Sequence, residues 1–187
     1  MPSISEAKIL ILATDGFENS ELFAPRDTLL HKGATVTLAS PGADAIQGVK
    51  HDRPGDRITP DLLVADVKPS DYDALLLPGG VANPDALRTD PKVVEIIRAF
   101  AHDEKPVAAI CHAPWLLVEA DVVRGRTVTS WPSLRTDLAN AGGNVVDQAV
   151  VIDGNLITSR KPDDIPAFVH ALIDALENAE PRVEVTE

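Results

Sequence analysis

The chain has 187 residues, 44% of them hydrophobic and 25% charged, which suits one domain with a sizeable core and excludes a disordered or fibrous protein. Its 29 acidic and 17 basic residues give a net charge of −12, which disfavours binding to nucleic acid or to anionic membranes. The first apolar run is too short for a signal peptide, and none approaches the about 18 residues of a membrane span, so we expect a cytoplasmic protein.

Short apolar runs alternate with longer helix-like segments along the chain. The predicted strands cover residues 8–13, 35–40, 73–77, 107–110, 127–129, 144–146, 150–152 and 155–158. The predicted helices cover residues 20–32, 91–102, 112–120, about 132–141, and 163–178. Pro25 predicts a kink or two helical pieces in the first helix. The irregular segment 41–69 is compatible with a hairpin outside the main sheet.

This alternation predicts an α/β fold with a mainly parallel sheet and helices on both faces. We expect a single domain over residues 1–187, with a core at about 8–178 and a polar tail at 179–187. In such sheets ligands bind at the carboxyl ends of the strands. Three predicted strands end in unusual residues: Asp15-Gly16-Phe17-Glu18, Pro78-Gly79-Gly80 and Cys111-His112.

Cys111 is the one cysteine of the sequence, which excludes an internal disulfide and a thiolate-rich zinc site. It is inert, reactive or paired between chains. The segment 109–113, Ala-Ile-Cys-His-Ala, has the small-x-nucleophile-x-small pattern of a nucleophile elbow, with the cysteine held at the start of a helix. A helix dipole there favours a thiolate and lowers its pKa, so we predict a reactive thiol rather than a buried small hydrophobe.

Three further groups are candidates for the same site. His112 is a candidate general base, or else a histidine that only packs at the start of a helix. Glu18, at the end of the first strand, is expected to face the sulfur as a protonated acid that donates a hydrogen bond, or to be an ordinary acid at a helix start. The N–H groups of Gly79-Gly80 and of His112 could form an oxyanion hole, although Pro-Gly-Gly also makes a plain turn.

We expect no cofactor and no metal. The sequence lacks the glycine-rich motifs that hold nucleotide phosphates, and the other histidines have no clear metal-ligand spacing.

Several segments in the same order resemble the ThiJ/PfpI family, and more closely its PfpI-type intracellular protease branch. They are ATDGFENSEL, LLLPGG, PVAAICHAPWLL, TVTSWPSLRTDLANAGG and TSRKPDD, and the resemblance runs from about residue 8 to 176. It implies a flavodoxin-like three-layer α/β sandwich of the class I glutamine amidotransferase type. It also implies Cys111 as the nucleophile, Glu18 as its hydrogen-bonding partner and His112 as the adjacent histidine.

The resemblance further implies an acidic residue after Pro-Gly-Gly that reaches the histidine from a neighbouring subunit. Asp85 matches that position best, in a loop one residue longer than in some relatives, and Ala113 stands where the branch more often has Gly. A dimer would then be the minimum active unit, and relatives form dimers and hexamers.

Relatives in this family carry several activities, so we expect one function for the chain and keep two alternatives to it. The first is a cysteine hydrolase of the PfpI peptidase type, acting in the stress response. The second is a cofactor-free glyoxalase or deglycase, in which Cys111 adds to a small aldehyde such as methylglyoxal and Glu18 or His112 moves a proton. The third is a redox-sensing stress protein or holdase without turnover.

Overall fold

A central sheet organises residues 3–178, the part of the chain that the computed structural model describes. The strands are β1 (Lys8–Leu12), β2 (Thr35–Ser40), β3 (Ile46–Lys50), β4 (Arg53–Ile58), β5 (Leu62–Leu63), β6 (Ala74–Leu77), β7 (Val107–Ile110), β8 (Thr127–Val128), β9 (Asn144–Val145), β10 (Val150–Asp153) and β11 (Leu156–Ser159). Seven of them form this sheet, in the order β10-β11-β7-β6-β1-β2-β5. All its neighbouring pairs are parallel except β10 with β11.

Helices cover both faces of this sheet. They are α1 (Asn19–His31), α2 (Ala82–Leu87), α3 (Pro91–His102), α4 (Pro114–Glu119), α5 (Arg135–Asn140) and α6 (Ile165–Asn178). Short 3₁₀ turns cover Ile4–Glu6, Val64–Asp66, Pro69–Asp71, Pro132–Leu134 and Pro162–Asp164. None of the helices within residues 3–178 is both long and apolar enough to cross a membrane.

The core is split by the sheet into two apolar clusters. Ile9 and Ile11 of β1 face the cluster of α1 and α6, whereas Leu10 and Leu12 face that of α3 to α5. Successive strand side chains point to opposite faces, so a strand covered on both sides must be apolar at every position. This explains the continuous apolar runs in the sequence and confirms the predicted three-layer α/β sandwich.

Several predicted elements differ from the structure in detail. Pro25 lies within one continuous α1, so the chain does not split there. The predicted helix at 132–141 is a 3₁₀ turn followed by α5. The segment 41–69 contains the expected hairpin, β3 with β4, but also β5, which joins the edge of the main sheet and was not predicted. The polar tail, residues 179–187, lies outside the described residues.

The sheet order brings the three unusual strand ends together. β1, β6 and β7 are direct neighbours and run parallel, so the residues that follow them meet at one edge of the sheet. The loop that ends at Glu18, the Pro78-Gly79-Gly80 turn and Cys111 therefore form one site.

Candidate active site

Cys111 occupies a sharp turn between β7 and α4. Its backbone is left-handed, with φ of 65°, a conformation that costs a residue other than glycine about 1–3 kcal/mol. The Cys111 N–H donates to the Ser159 carbonyl at 3.0 Å, and the Cys111 carbonyl accepts from the Trp131 N–H at 2.9 Å. These bonds to two other segments hold the strained residue, and the predicted nucleophile elbow is confirmed as a local geometry.

The turn Pro78-Gly79-Gly80 packs directly against the elbow. A Cβ atom on Gly79 would lie 2.7 Å from the Cβ of Cys111, and Gly80 is left-handed with φ of 80°. A Cβ on Gly80 would overlap the Gly16 carbonyl oxygen. Gly79 is therefore needed for the close approach to the cysteine, and Gly80 for the close approach to the loop after β1.

Asn83, a fully buried residue of α2, holds this turn in place. Its Nδ2 donates to the carbonyls of Pro78 at 2.9 Å and Gly79 at 3.0 Å. Its Oδ1 accepts the N–H of Thr14 at 2.8 Å. One side-chain amide thus ties the end of β1 to the turn after β6.

The imidazole of His112 faces the sulfur of its neighbour. His112 Nδ1 lies 3.1 Å from Cys111 Sγ, within hydrogen-bond reach for sulfur. The ring stacks on Trp131 at 5.7 Å between centroids and meets the edge of Trp115 at 5.4 Å. Burial lowers the pKa of His112, so at neutral pH the ring is uncharged and can accept a proton.

The environment of the thiol differs from the prediction of a low pKa. Burial raises the pKa of Cys111, and a charge on Glu21 raises it further, whereas the N–H groups of Gly80 and His112 act in the opposite direction. α4 has only six residues and begins at Pro114, so its dipole does not offset the loss of water around the sulfur. Burial thus favours the neutral thiol over the thiolate, and His112 Nδ1 is the nitrogen within reach of its proton.

Glu21 is the carboxyl that faces the thiol. It is fully buried, and its Oε2 accepts the N–H of Gly79 at 2.9 Å. Burial is the largest influence on this carboxyl and raises its pKa to about 8, so it is protonated at neutral pH. Oε1 has no hydrogen-bond partner within residues 3–178, and the carboxyl group interacts with the Cys111 side chain.

Glu18 does not form the contact that the sequence predicts for it. Its Oε2 accepts the N–H of His51 at 3.1 Å, and its backbone pairs with Val49 of β3. Glu18 is engaged with the hairpin through its backbone and its carboxylate. Glu21 lies one helical turn further on, in α1, and interacts with the Cys111 side chain. The expected protonated acid is present, but it is Glu21.

The prediction that the Gly79 N–H contributes to an oxyanion hole is not supported by the structure. Its N–H is bound by Glu21, so it is not available to a substrate. The N–H groups of Gly80 and His112 are both directed at the sulfur of Cys111. A carbonyl oxygen on a carbon bonded to that sulfur would lie beside these two donors.

Asp85 lies apart from His112 within the chain. It is exposed in the first turn of α2, and among the described residues it forms no hydrogen bond or ion pair with His112. The outer nitrogen of His112, Nε2, instead lies 3.5 Å from the hydroxyl of Ser133.

A cavity of about 370 Å³ opens above Cys111. It is lined by Gly16, Glu18, Glu21, Val49, His51, Gly80, Val81, Ala82, Cys111, His112, Trp131 and Pro162. The β3–β4 hairpin forms one wall and is fastened to the loop after β1, where Gly16 N–H donates to Gln47 O and Val49 N–H to Phe17 O, both at 2.8 Å. Val81 and Trp131, 55% and 38% exposed, stand at the opening.

The sequence gives no indication of four residues around this site. Glu21 is a second acid three residues after the predicted one, and Asn83 lies in α2, which the sequence does not predict. Trp131 and Ser133 follow β8 and are distant from Cys111 in the chain. Only the resemblance of the segment 127–143 to a family motif could have marked these last two.

A family model described as the DJ-1/PfpI family matches residues 7–175. The chain belongs to the DJ-1/PfpI family. A protein of Bacillus subtilis (strain 168) named "Putative cysteine protease YraA" is 40% identical over 91% of this chain and 98% of its own length. A protein of Pyrococcus abyssi (strain GE5 / Orsay) named a deglycase is 42% identical over 91% and 99%. The crystal structure of Drosophila melanogaster DJ-1beta aligns with a TM-score of 0.84 and 33% identity, over 93% of this chain and 92% of that one.

Proposed function

We propose that the protein is a cysteine-dependent hydrolase of the PfpI peptidase type. The observation that carries the proposal is the 3.1 Å contact between Cys111 Sγ and His112 Nδ1 in an elbow where two N–H groups converge on the sulfur. Nucleophile, base and oxyanion donors are the parts that acyl transfer needs. The similarity to YraA, whose name denotes a cysteine protease, supports this reaction class.

The reaction begins with transfer of the Cys111 proton to His112 Nδ1. The thiolate attacks the substrate carbonyl carbon, a C–S bond forms, and the oxyanion is held by the N–H groups of Gly80 and His112. The imidazolium returns its proton to the leaving amine as the C–N bond breaks, which leaves a thioester on Cys111. A water activated by His112 then hydrolyses this thioester, releasing the acid and restoring the thiol. Glu21 keeps its proton throughout and so places no negative charge beside the thiolate.

Hydrolysis of fluorogenic peptides tests this function. We expect turnover by the purified protein, release of the C-terminal fragment before the N-terminal one, and loss of turnover in Cys111→Ala and His112→Gln. Thr136→Ala, at an exposed position of α5, is the matched control and keeps the wild-type rate. Equal turnover in Cys111→Ala and the wild type would overturn the proposal.

A glyoxalase or deglycase is the second candidate. The neutral carboxyl of Glu21 beside the thiol favours it, because a protonated acid stabilises a sulfur adduct without repelling it. Similarity to the Pyrococcus abyssi protein named a deglycase supports it as well. Cys111 would add to the aldehyde carbon, and His112 would move a proton from that carbon to its neighbour. Hydrolysis of the resulting thioester would release a hydroxy acid.

Methylglyoxal separates the two candidates. In the absence of glutathione and metal ions, loss of methylglyoxal with equimolar lactate assigns the second activity to Cys111 if Cys111→Ala produces none. Lactate release at the same rate in Cys111→Ala would remove this candidate. Peptide turnover without lactate release would support the hydrolase and exclude the second candidate.

The assembly and its surroundings form part of the same proposal. We infer a cytoplasmic homo-oligomer, a dimer at least, in which Asp85 of one copy approaches His112 of another. The exposed Val81 and Trp131 at the cavity opening offer apolar surface for such a contact. Light scattering measures the oligomer, and mixing Cys111→Ala with Asp85→Asn tests the shared site. Restored turnover in the mixture supports it, and a monomer with full activity contradicts it.

A further inference from the structure

Ser133 lies within hydrogen-bond reach of the outer nitrogen of His112. Its Oγ lies 3.5 Å from Nε2, while the inner nitrogen, Nδ1, faces the Cys111 sulfur. This is long for a hydrogen bond, but contacts of this kind in unliganded sites tighten when substrate binds. The two ring nitrogens thus face two different side chains, both of this chain.

The position of Ser133 is set by the backbone around it. It lies in the 3₁₀ turn Pro132–Leu134, whose preceding residue, Trp131, donates its N–H to the Cys111 carbonyl at 2.9 Å. Leu134 is fully buried and closes the turn by donating its N–H to the Trp131 carbonyl at 3.1 Å. The hydroxyl is therefore carried by a segment anchored to the elbow itself.

The tautomer of His112 determines whether it can act as a base toward the thiol. A neutral imidazole has its proton on one nitrogen and a lone pair on the other. Nδ1 can accept the Cys111 proton only when the ring hydrogen is on Nε2. The aromatic rings of Trp115 and Trp131 restrict rotation of the imidazole, so the partner of Nε2 decides between the tautomers.

We propose that Ser133 is a positioning residue, which accepts a hydrogen bond from Nε2–H of His112 and so keeps Nδ1 free to take the proton of Cys111. This inference deepens the proposed function, in which His112 is the general base. Ser133 would orient His112 from within the same chain, whereas the family resemblance implies an acidic residue that reaches His112 from a neighbouring subunit. The hydroxyl carries no charge, so it selects the tautomer of His112 without adding a negative charge that would favour the protonated ring.

The experiment reads the tautomer of His112 directly. In ¹⁵N-histidine-labelled protein at pH 7.5, two-bond ¹⁵N–¹H spectra distinguish a proton on Nε2 from one on Nδ1, and the His112 signals are identified by their loss in His112→Gln. We expect the Nε2–H form in the wild type, a shift toward the Nδ1–H form in Ser133→Ala, and its restoration in Ser133→Thr. Thr136→Ala, on the exposed side of α5, is the control and leaves the spectrum unchanged.

A second measurement follows the thiol. Cys111 is the one cysteine in the sequence, so the mass increase after treatment with iodoacetamide reports on it alone. Loss of one neutral hydrogen bond predicts about three- to tenfold slower alkylation in Ser133→Ala at pH 7.5. Ser133→Thr reacts at close to the wild-type rate.

An unchanged tautomer in Ser133→Ala overturns the proposal, as does a change that Ser133→Thr fails to restore. The Asp85→Asn variant provides a further test, because a tautomer that follows Asp85 and not Ser133 also overturns it. None of these readouts requires turnover. Absence of peptide hydrolysis would therefore contradict the proposed function while the spectra still decide the part played by Ser133.

Discussion

His112 Nδ1 lies 3.1 Å from Cys111 Sγ although the two residues are adjacent in the chain. Neighbouring side chains in a strand or helix point in different directions. The left-handed backbone of Cys111 reverses this, because it turns the chain so that both side chains face the same cavity. Backbone strain at one residue thus brings the proposed nucleophile and the proposed base together from consecutive positions.

The pH dependence of thiol reactivity should depend on Glu21 and not on Glu18. Burial raises the pKa of Glu21 to about 8, so above that pH its charge raises the pKa of Cys111. In Glu21→Gln this charge cannot form, and we expect Cys111 to react with iodoacetamide about three- to tenfold faster than the wild type between pH 9 and 10. Glu18→Gln is the matched control, and faster alkylation in that variant instead would contradict our placement of the two acids.

Glu21 should also make stability depend on pH. Its pKa in the folded protein, about 8, lies above its ordinary value of 4.5, so the folded state retains a proton that the unfolded chain releases. Its contribution to the free energy of unfolding is complete below about pH 4.5 and is lost as the pH rises to about 8, by on the order of a few kcal/mol. Urea unfolding at several pH values measures it. Glu21→Gln should lack this decline, whereas Glu177→Gln, at an exposed position, should retain it; identical curves for Glu21→Gln and the wild type would refute the assignment.

Asn83 should be needed for the stability of the fold. Asn83→Ala removes the partner of the Thr14 N–H and of the Pro78 carbonyl, while the Gly79 carbonyl keeps its bond from the Glu18 N–H. We expect a loss of about 2–4 kcal/mol in urea unfolding. Asn19→Ala removes exposed hydrogen bonds to Asp56 and should cost less than about 1 kcal/mol. Equal losses of unfolding free energy in the two variants would show that the buried amide of Asn83 contributes no more to stability than the exposed amide of Asn19.

Gly79 should tolerate no side chain. In Gly79→Ala the added methyl would lie 2.6 Å from Glu21 Oε2 and 2.7 Å from the Cβ of Cys111, so the turn and the elbow must separate. We expect a fall in the melting temperature together with slower alkylation of Cys111. Gly42→Ala, where the added methyl meets open space, is the control. A Gly79→Ala protein with a wild-type melting temperature and thiol reactivity would argue against close packing at this turn.

The sequence predicts the main sheet well because parallel strands covered on both faces leave continuous apolar runs. β7 is predicted to the residue, since the turn at Cys111 ends it sharply. α2 and β5 were missed because they have six and two residues, and Pro84 within α2 is typical of a loop. Short elements lack the periodicity on which a prediction depends.

The site is predicted in part for a related reason. The neighbouring strand ends place Cys111, His112 and the Gly79-Gly80 turn together once the parallel order is known. Choosing between Glu18 and Glu21 requires knowing where α1 begins and that Glu18 pairs with the hairpin, which are properties of the folded chain. The contact between Ser133 and His112 spans 21 positions and depends on the geometry of a loop.

The β3–β4 hairpin forms one wall of the cavity but pairs with no strand of the main sheet. Its turn, which includes His51, is exposed, so residues can be inserted or removed there without shifting the register of the strands that hold Cys111. Selection can therefore change which molecules fit the cavity while the reacting groups stay in place. One wall of the cavity and the proposed reacting groups thus lie on separate stretches of the chain.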